Sequence, residues 1–200
     1  MSTARSIRRF TDEAVDDSLL LRCLEAATWA PSGGNQQPWR FVILKSAESR
    51  RAVALGAAEA LKVIREVYRM DRPSDDDDSP RARDARAVMD LHEAAADVPA
   101  AVLFCMLPQP ASPPLMQGAF IYPAMQNFLL AARASGLGAV VTGWNVRAES
   151  QLRQAVQIPD EWELAAMVVV GWPKGHHGPL RRKPVTDVTV IDRWDRPARF

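Results

Sequence analysis

The amino-acid sequence predicts a single α+β domain. Segments with helical apolar spacing alternate with short runs of β-branched and aromatic residues, and the two kinds follow no regular βαβ rhythm. No internal repeat divides the chain, and its 200 residues at 48% hydrophobic content suffice for one core but are too few for two comfortable ones.

The first helix is capped by Asp16 or Asp17, carries Leu20, Leu24 and Ala27 on one stripe, and ends near Trp29 before Pro31. Pro31-Ser32-Gly33-Gly34-Asn35 is a loop by composition, and Trp39 to Leu44 reads as a strand. A second helix spans roughly Ser46 to Arg69. Met70 to Ser79 holds Pro73 and four consecutive aspartates, Asp75 to Asp78, and is expected to be a mobile surface insert around 70–80 because it buries too little to order itself. Helical spacing resumes through Ala82 to Ala96 until Pro99 breaks it. Ala100 to Leu107 then has the continuous apolar character of a strand covered on both faces. After a proline-punctuated loop, Met116 to Ser135 is apolar almost all the way round, so a helix buried on every side is expected, with Gly136 as its C-terminal cap. A chain of this size seldom encloses a helix so fully, which points to a subunit interface. Strands at Ala139 to Thr142 and Ala165 to Val170 flank a short helix from Glu149 to Val156, and the tail after Gly175 is basic and then extended.

Composition excludes several function classes. Lys plus Arg total 25 against 24 for Asp plus Glu, so no global field favours nucleic acid, and an anionic ligand must be caught locally. Cys23 and Cys105 lie far apart in apolar stretches and read as buried thiols rather than a disulfide or metal pair. The start is charged, and the longest uncharged apolar run, Val98 to Leu107, is about half of what a membrane span needs, so a cytoplasmic, soluble protein with no membrane partner is expected. His176 and His177 point apart on an extended chain and His92 has no partner at ligand spacing, which argues against a metal. No nucleophile elbow, Cys-His neighbour pair or Walker loop supplies hydrolysis or phosphoryl transfer.

Four clusters remain. In Arg5-Ser6-Ile7-Arg8-Arg9-Phe10 guanidinium groups and a hydroxyl can converge on one phosphate, although alone the cluster reads as a solvated basic terminus. In Ala30 to Trp39 two glycines let backbone approach a flat ligand, while Asn35 and Gln37 offer the mixed donors and acceptors a pyrimidine edge needs; a plain helix-to-strand turn fits equally well. Gly136-Leu137-Gly138 is not a dinucleotide fingerprint, because its glycines close a helix and lead into a strand; Thr142 and Gly143, beyond that strand, can still offer backbone N–H groups. Arg181-Arg182-Lys183-Pro184 is a second candidate phosphate clamp or a solvated basic turn.

Taken together, order and spacing resemble the FMN-dependent nitroreductase family. Ala4 to Phe10 resembles its Arg-Arg-Ser-x-Arg-x-Phe phosphate motif, and Ala30 to Trp39 its Ala-Pro-Ser-x-x-Asn-x-Gln-Pro-Trp signature, the most specific of the set. Gln126-Asn127 through Gly138 looks like its central helix and Gly-Leu-Gly end, and Trp172-Pro173 with Arg182-Lys183-Pro184 completes the order. Only about 59–97 lacks a counterpart. The resemblance implies a three-layer α/β/α sandwich with a mostly antiparallel central sheet, assembled as an intertwined homodimer. It implies FMN as cofactor, with Ser6 and Arg8 on the phosphate and ribityl side, Arg8 near the N1–C2 edge of the flavin, and Arg182 adding a phosphate contact. Pro31, Ser32, Gly33 and Asn35 would reach the flavin from the neighbouring subunit, and Thr142-Gly143 would present backbone near N5. Ala4 stands where the family has its first phosphate arginine, so either Arg5 or Arg181 makes up that charge or FMN binds more weakly than is usual in the family.

The implied activity is hydride transfer from NADH or NADPH through the flavin to a small electron-poor acceptor such as a nitroaromatic or quinone, with ping-pong kinetics. The flavin would carry the chemistry, so no side-chain acid or base is obligatory. A flavin store or regulator with little turnover is the alternative from another class; dehalogenation, alkene reduction and cleavage of the flavin itself are alternatives within the family. The alternating segment Val188-Thr189-Val190-Ile191, followed by Trp194, is expected to be a strand that adds to the partner's sheet.

Overall fold

Short polar side chains start the first three helices. The Asp16 carboxylate accepts from the Ser18 N–H at the head of α1 (Asp17–Thr28), the Ser46 hydroxyl accepts from the Ser49 N–H at α2 (Ala47–Glu66), and Ser79 accepts from the Ala82 N–H at α3 (Pro80–Glu93). Pro80 occupies the first turn of α3, where its missing N–H costs nothing. In the computed structural model, which describes residues 1–197, these helices pack on a four-stranded sheet. Its strands are β1 (Trp39–Leu44), β2 (Ala100–Met106), β3 (Gly138–Thr142) and β4 (Glu163–Gly171), in the order β1-β2-β4-β3, every neighbouring pair antiparallel.

Strand β2 is buried along its whole length because each face meets a helical layer. Val102, Phe104 and Met106 join α1 and Phe128 in one core, while Ala101, Leu103 and Cys105 join Val53, Ala57 and Leu152 in the other. The period of two along the strand thus divides its residues between two cores, which produces the three-layer α+β sandwich. Phe104 anchors the first core edge-on against both Phe41 and Phe128, with ring centroids 5.1 and 5.5 Å apart. Both cysteines are buried free thiols, and burial pushes Cys105 up to about 11.

The long helix expected over Met116 to Ser135 is broken. The chain forms α4 (Pro114–Gln117), a 3₁₀ turn at Gly118–Phe120, and only then α5 (Tyr122–Ala134). Pro123 is the cause: it lacks an N–H to donate and its ring excludes a preceding helical turn, so it sits in the first turn of a new helix. Within one chain α5 buries a single stripe, Ala124, Phe128 and Ala132, rather than every side. Beyond β3 come α6 (Trp144–Arg147), which the sequence reading missed, and α7 (Glu149–Val156).

Two other segments bear on the expectations from sequence. Met70 to Ser79 has no helix or strand, but the 7% exposed Arg86 of α3 donates to the carbonyls of Ser74 and Asp77, and Arg72 pairs with Asp90 at 2.7 Å. The acidic stretch is therefore tied to α3 by arginines. The tail does not run as a strand at Val188 to Ile191: Val185–Val188 is a 3₁₀ turn, and Val190 bridges Pro197 within the tail. Asp192, with φ of 62°, makes the reversal that this pairing requires, and the last three residues of the expected extended tail lie outside the described part. Among the described residues no helix is long and apolar enough to cross a membrane.

Candidate functional site

The N-terminal segment reaches its place by running alongside β3. Ser6 bridges Ala139 in parallel, and the Ile7 N–H donates to the Ala139 carbonyl at 3.0 Å. Ile7 is 3% exposed and fits because residue 138 is glycine; a Cβ there would lie 2.7 Å from Ile7 Cγ2. Gly136, at φ of 85°, supplies the left-handed residue after α5 that turns the chain into β3. The C-terminal segment closes the other side. Lys174 N–H donates to Arg9 O and Leu180 N–H to Ser2 O, both at 2.9 Å. Arg133 of α5 clamps both segments, donating to Thr3 Oγ1 at 3.1 Å and His177 O at 3.3 Å.

This arrangement brings Arg5, Ser6, Arg8 and Arg182 to one cavity of about 430 Å³. Arg9, Arg83 and Lys174 add further cations there, and Asp84 is its only carboxylate among the described residues. The His177 Nε2 is buried without a hydrogen-bond partner, and its imidazole is pushed below the ordinary range first by burial and then by Arg5, Arg133 and His176, against a raising hydrogen bond to the Lys174 backbone. The cations and the Ser6 hydroxyl form a donor set suited to a phosphate monoester. The residues present therefore fit the phosphate end of the implied FMN.

A second cavity of about 430 Å³ shares Arg8 with the first. Its walls are apolar, with Val63 and Ile64 from α2, Val88 and Leu91 from α3, and Val141 from β3; Thr142 and Gly143 stand at its edge. Arg8 also borders a third cavity of about 620 Å³ under the Met70–Ser79 segment. A phosphate-suited pocket joined through one arginine to an apolar slot has the polarity of a flavin nucleotide: charged at one end, planar and apolar at the other.

Other sequence candidates lie elsewhere. Pro31, Ser32, Gly33, Asn35 and Gln37 line none of these cavities; their loop packs at the start of β1, with Gly33 against the Phe120 ring. Asn35 and Gln37 both hold left-handed backbone, at φ of 54° and 50°, kept there by the Ser32 hydroxyl accepting from the Gln37 N–H at 3.0 Å. Such positions cost about 1–3 kcal/mol each and cluster at functional sites. Arg181 also lines none of these cavities, although its carbonyl accepts from Arg182 Nη1 at 3.0 Å.

Residues that sequence reasoning missed are Arg83, His92, Lys174 and His177. Arg83 and Lys174 line the same cavity as Arg5, so cations other than residue 4 surround it. Nothing in local spacing marks them, because α3 and the segment after β4 meet the N-terminus only through the topology.

The model of the nitroreductase family matches residues 1–172. The 5,6-dimethylbenzimidazole synthase of Rhodospirillum rubrum is 30% identical over 183 residues, covering 86% of this chain and 80% of that protein. The NADH dehydrogenase of Thermus thermophilus is 29% identical, covering 93% and 91%. Among solved structures, an FMN-dependent nitroreductase from Clostridium difficile superposes with a TM-score of 0.66 at 15% identity over 96% of this chain and 97% of that one, a likeness of fold. By fold and by the extent of the family match, the chain belongs to the nitroreductase family.

Proposed function

We propose that this oxidoreductase binds FMN, takes hydride from NADH or NADPH, and passes electrons to a small electron-poor acceptor such as a nitroaromatic or quinone, as a homodimer with ping-pong kinetics. The observation that carries the reading is the convergence of Arg5, Ser6, Arg8, Arg83, Lys174 and Arg182 on a cavity that shares Arg8 with an apolar slot ending at Thr142-Gly143. Arg5, Ser6 and Arg182 would hold the phosphate, with Arg83 and Lys174 filling in for Ala4. Bound flavin supplies the capacity to accept a hydride and release it to a second substrate. The chain's part is to bind, orient and exclude water: guanidinium groups neutralise the phosphate, apolar walls admit planar ligands, and the cationic Arg8 favours negative charge at the slot. The loop Pro31 to Gln37, remote from these cavities in its own chain, would serve the partner's site. The names of the Thermus and Clostridium proteins support the donor and the cofactor.

Purified protein reconstituted with FMN should be yellow, release FMN on mass analysis, and bleach anaerobically on addition of NADH or NADPH. Preference for FAD, or no bleaching by either nucleotide, overturns the reading. A second reading, formation of 5,6-dimethylbenzimidazole, is favoured by the Rhodospirillum relative. Aerobic incubation of the reduced protein separates the two: unchanged flavin with peroxide released supports the oxidoreductase, whereas loss of flavin with appearance of dimethylbenzimidazole supports the synthase.

A further inference from the structure

The slot is lined by one imidazole among the described residues. His92 lies on α3, within the stretch that has no counterpart in the family motifs, and lines the slot with Arg8, Thr142 and Gly143. Its Nδ1 is 2.7 Å from the Val88 carbonyl, one turn back on the same helix. A carbonyl only accepts, so Nδ1 carries the hydrogen and the neutral ring's lone pair is on Nε2. The ring is locked edge-on against the buried Trp144, with centroids 5.2 Å apart at 71°. Nε2 has no hydrogen-bond partner among the described residues, yet it is not among the sealed polar atoms, so it opens onto the slot.

The other titratable groups on the slot are Arg8, Tyr68 and Arg147, and among the described residues no carboxylate lines it. The acids near His92 on its own helix are engaged outside: Asp90 pairs with Arg9 and Arg72, and Glu93 with Arg65. Among the described residues His92 is the one lining side chain with an imidazole to exchange a proton.

We infer that His92 is the proton donor to the acceptor in this slot, acting through Nε2. The inference rests on the redox reading above and names a residue for it. Two-electron reduction of a quinone to a hydroquinone, or of a nitro group to a nitroso group and water, consumes one hydride and one proton. The hydride originates in the reduced nicotinamide. The proton passes from the His92 imidazolium to the acceptor oxygen, leaving neutral imidazole with its lone pair on Nε2, and the ring recovers a proton from water. Burial and then Arg8 push the ring below its ordinary value of 6.5, against the raising hydrogen bond to Val88, which makes its imidazolium the stronger acid. The sign follows: transfer is fastest with the ring protonated and falls as pH rises through the depressed value.

The test uses FMN-loaded protein reduced with dithionite, so that nicotinamide is not involved, mixed in a stopped-flow instrument with 1,4-benzoquinone or nitrobenzene from pH 5 to 8. Reoxidation by the natural protein should slow as pH rises through a value below 6.5. In His92→Phe, which keeps a ring against Trp144, it should be on the order of 100-fold slower at low pH and flat with pH. Equal rates and an equal pH profile in the two proteins overturn the inference and leave the redox reading standing; failure of NADH and NADPH to bleach either protein overturns the reading instead. Nitrogen NMR of the three histidines, with His92 assigned by its loss in the variant, gives a readout that does not depend on turnover. A neutral ring carrying its hydrogen on Nδ1, whose Nε2 resonance moves when nitrobenzene is added to the oxidised protein, supports the inference; a hydrogen on Nε2, or no response, overturns it.

Discussion

Arg8 borders the phosphate-suited cavity, the apolar slot and the space beneath the acidic segment, so on the proposed function its guanidinium is where binding and chemistry would meet. Replacing Arg8 with Ala removes a charge-assisted contact and should weaken FMN binding by about 1.5–3 kcal/mol, roughly tenfold to more than a hundredfold in Kd. Arg181→Ala is the matched control, because that side chain lines none of the cavities, and its Kd for FMN by fluorescence titration should be unchanged. An unaltered Kd in Arg8→Ala would return the N-terminal cluster to a solvated terminus. Arg5, Ser6 and Arg8 were legible in the sequence because they are neighbours within one short motif. Arg83, Lys174 and His177 were not, since they join that motif only after α3 and the segment following β4 fold against it.

The elements most legible from sequence were those whose environment is uniform. Strand β2, buried on both faces, is a continuous apolar run, and α1 shows its cap and stripe directly. The break before α5 was missed because apolar composition was weighed above Pro123, the residue that decides it. The tail was misjudged because alternation in Val188 to Ile191 says nothing of the Asp192 turn that folds it back. Strand β3 links element to site, since it carries the N-terminal segment on Ala139. Gly138→Ala places a methyl 2.7 to 2.9 Å from three Ile7 side-chain carbons, so the segment must lift away from β3. Overpacking of this kind costs about 1–3 kcal/mol. Urea unfolding should show that loss, and FMN affinity should fall with it although residue 138 carries no group able to bind a phosphate. Loss of stability with unchanged FMN affinity would mean that Ser6 and Arg8 do not depend on their seat along β3.

At the scale of the whole molecule, the single chain leaves much apolar surface uncovered. Leu115, Met116 and Tyr122 are 93%, 51% and 48% exposed along one short stretch, and Trp29 and Trp194 are 74% and 94% exposed. Scattered apolar residues need no explanation, but a run of them beside a half-covered α5, with two open tryptophans, has the composition of an interface core. The strained loop from Pro31 to Gln37 adds an independent reason, because its left-handed Asn35 and Gln37 line none of the cavities described above. Both facts are met if two copies exchange surfaces so that each loop reaches the other's flavin, burying more than about 2,000 Å², as permanent dimers do. Sedimentation across a wide dilution range should then find a dimer that loses flavin fluorescence quenching only as it dissociates. Subunit mixing makes the sharing explicit. Take one variant with Arg8→Ala and another with Asn35→Ala and Gln37→Ala, each weak in FMN binding, and refold them together. If the loop serves the partner, a hybrid dimer contains one site with both defects and one with neither, so FMN binding returns. If the loop serves its own chain, every hybrid site keeps one defect and nothing returns. A monomer that retains FMN, or a mixture that never recovers, would refute the shared site.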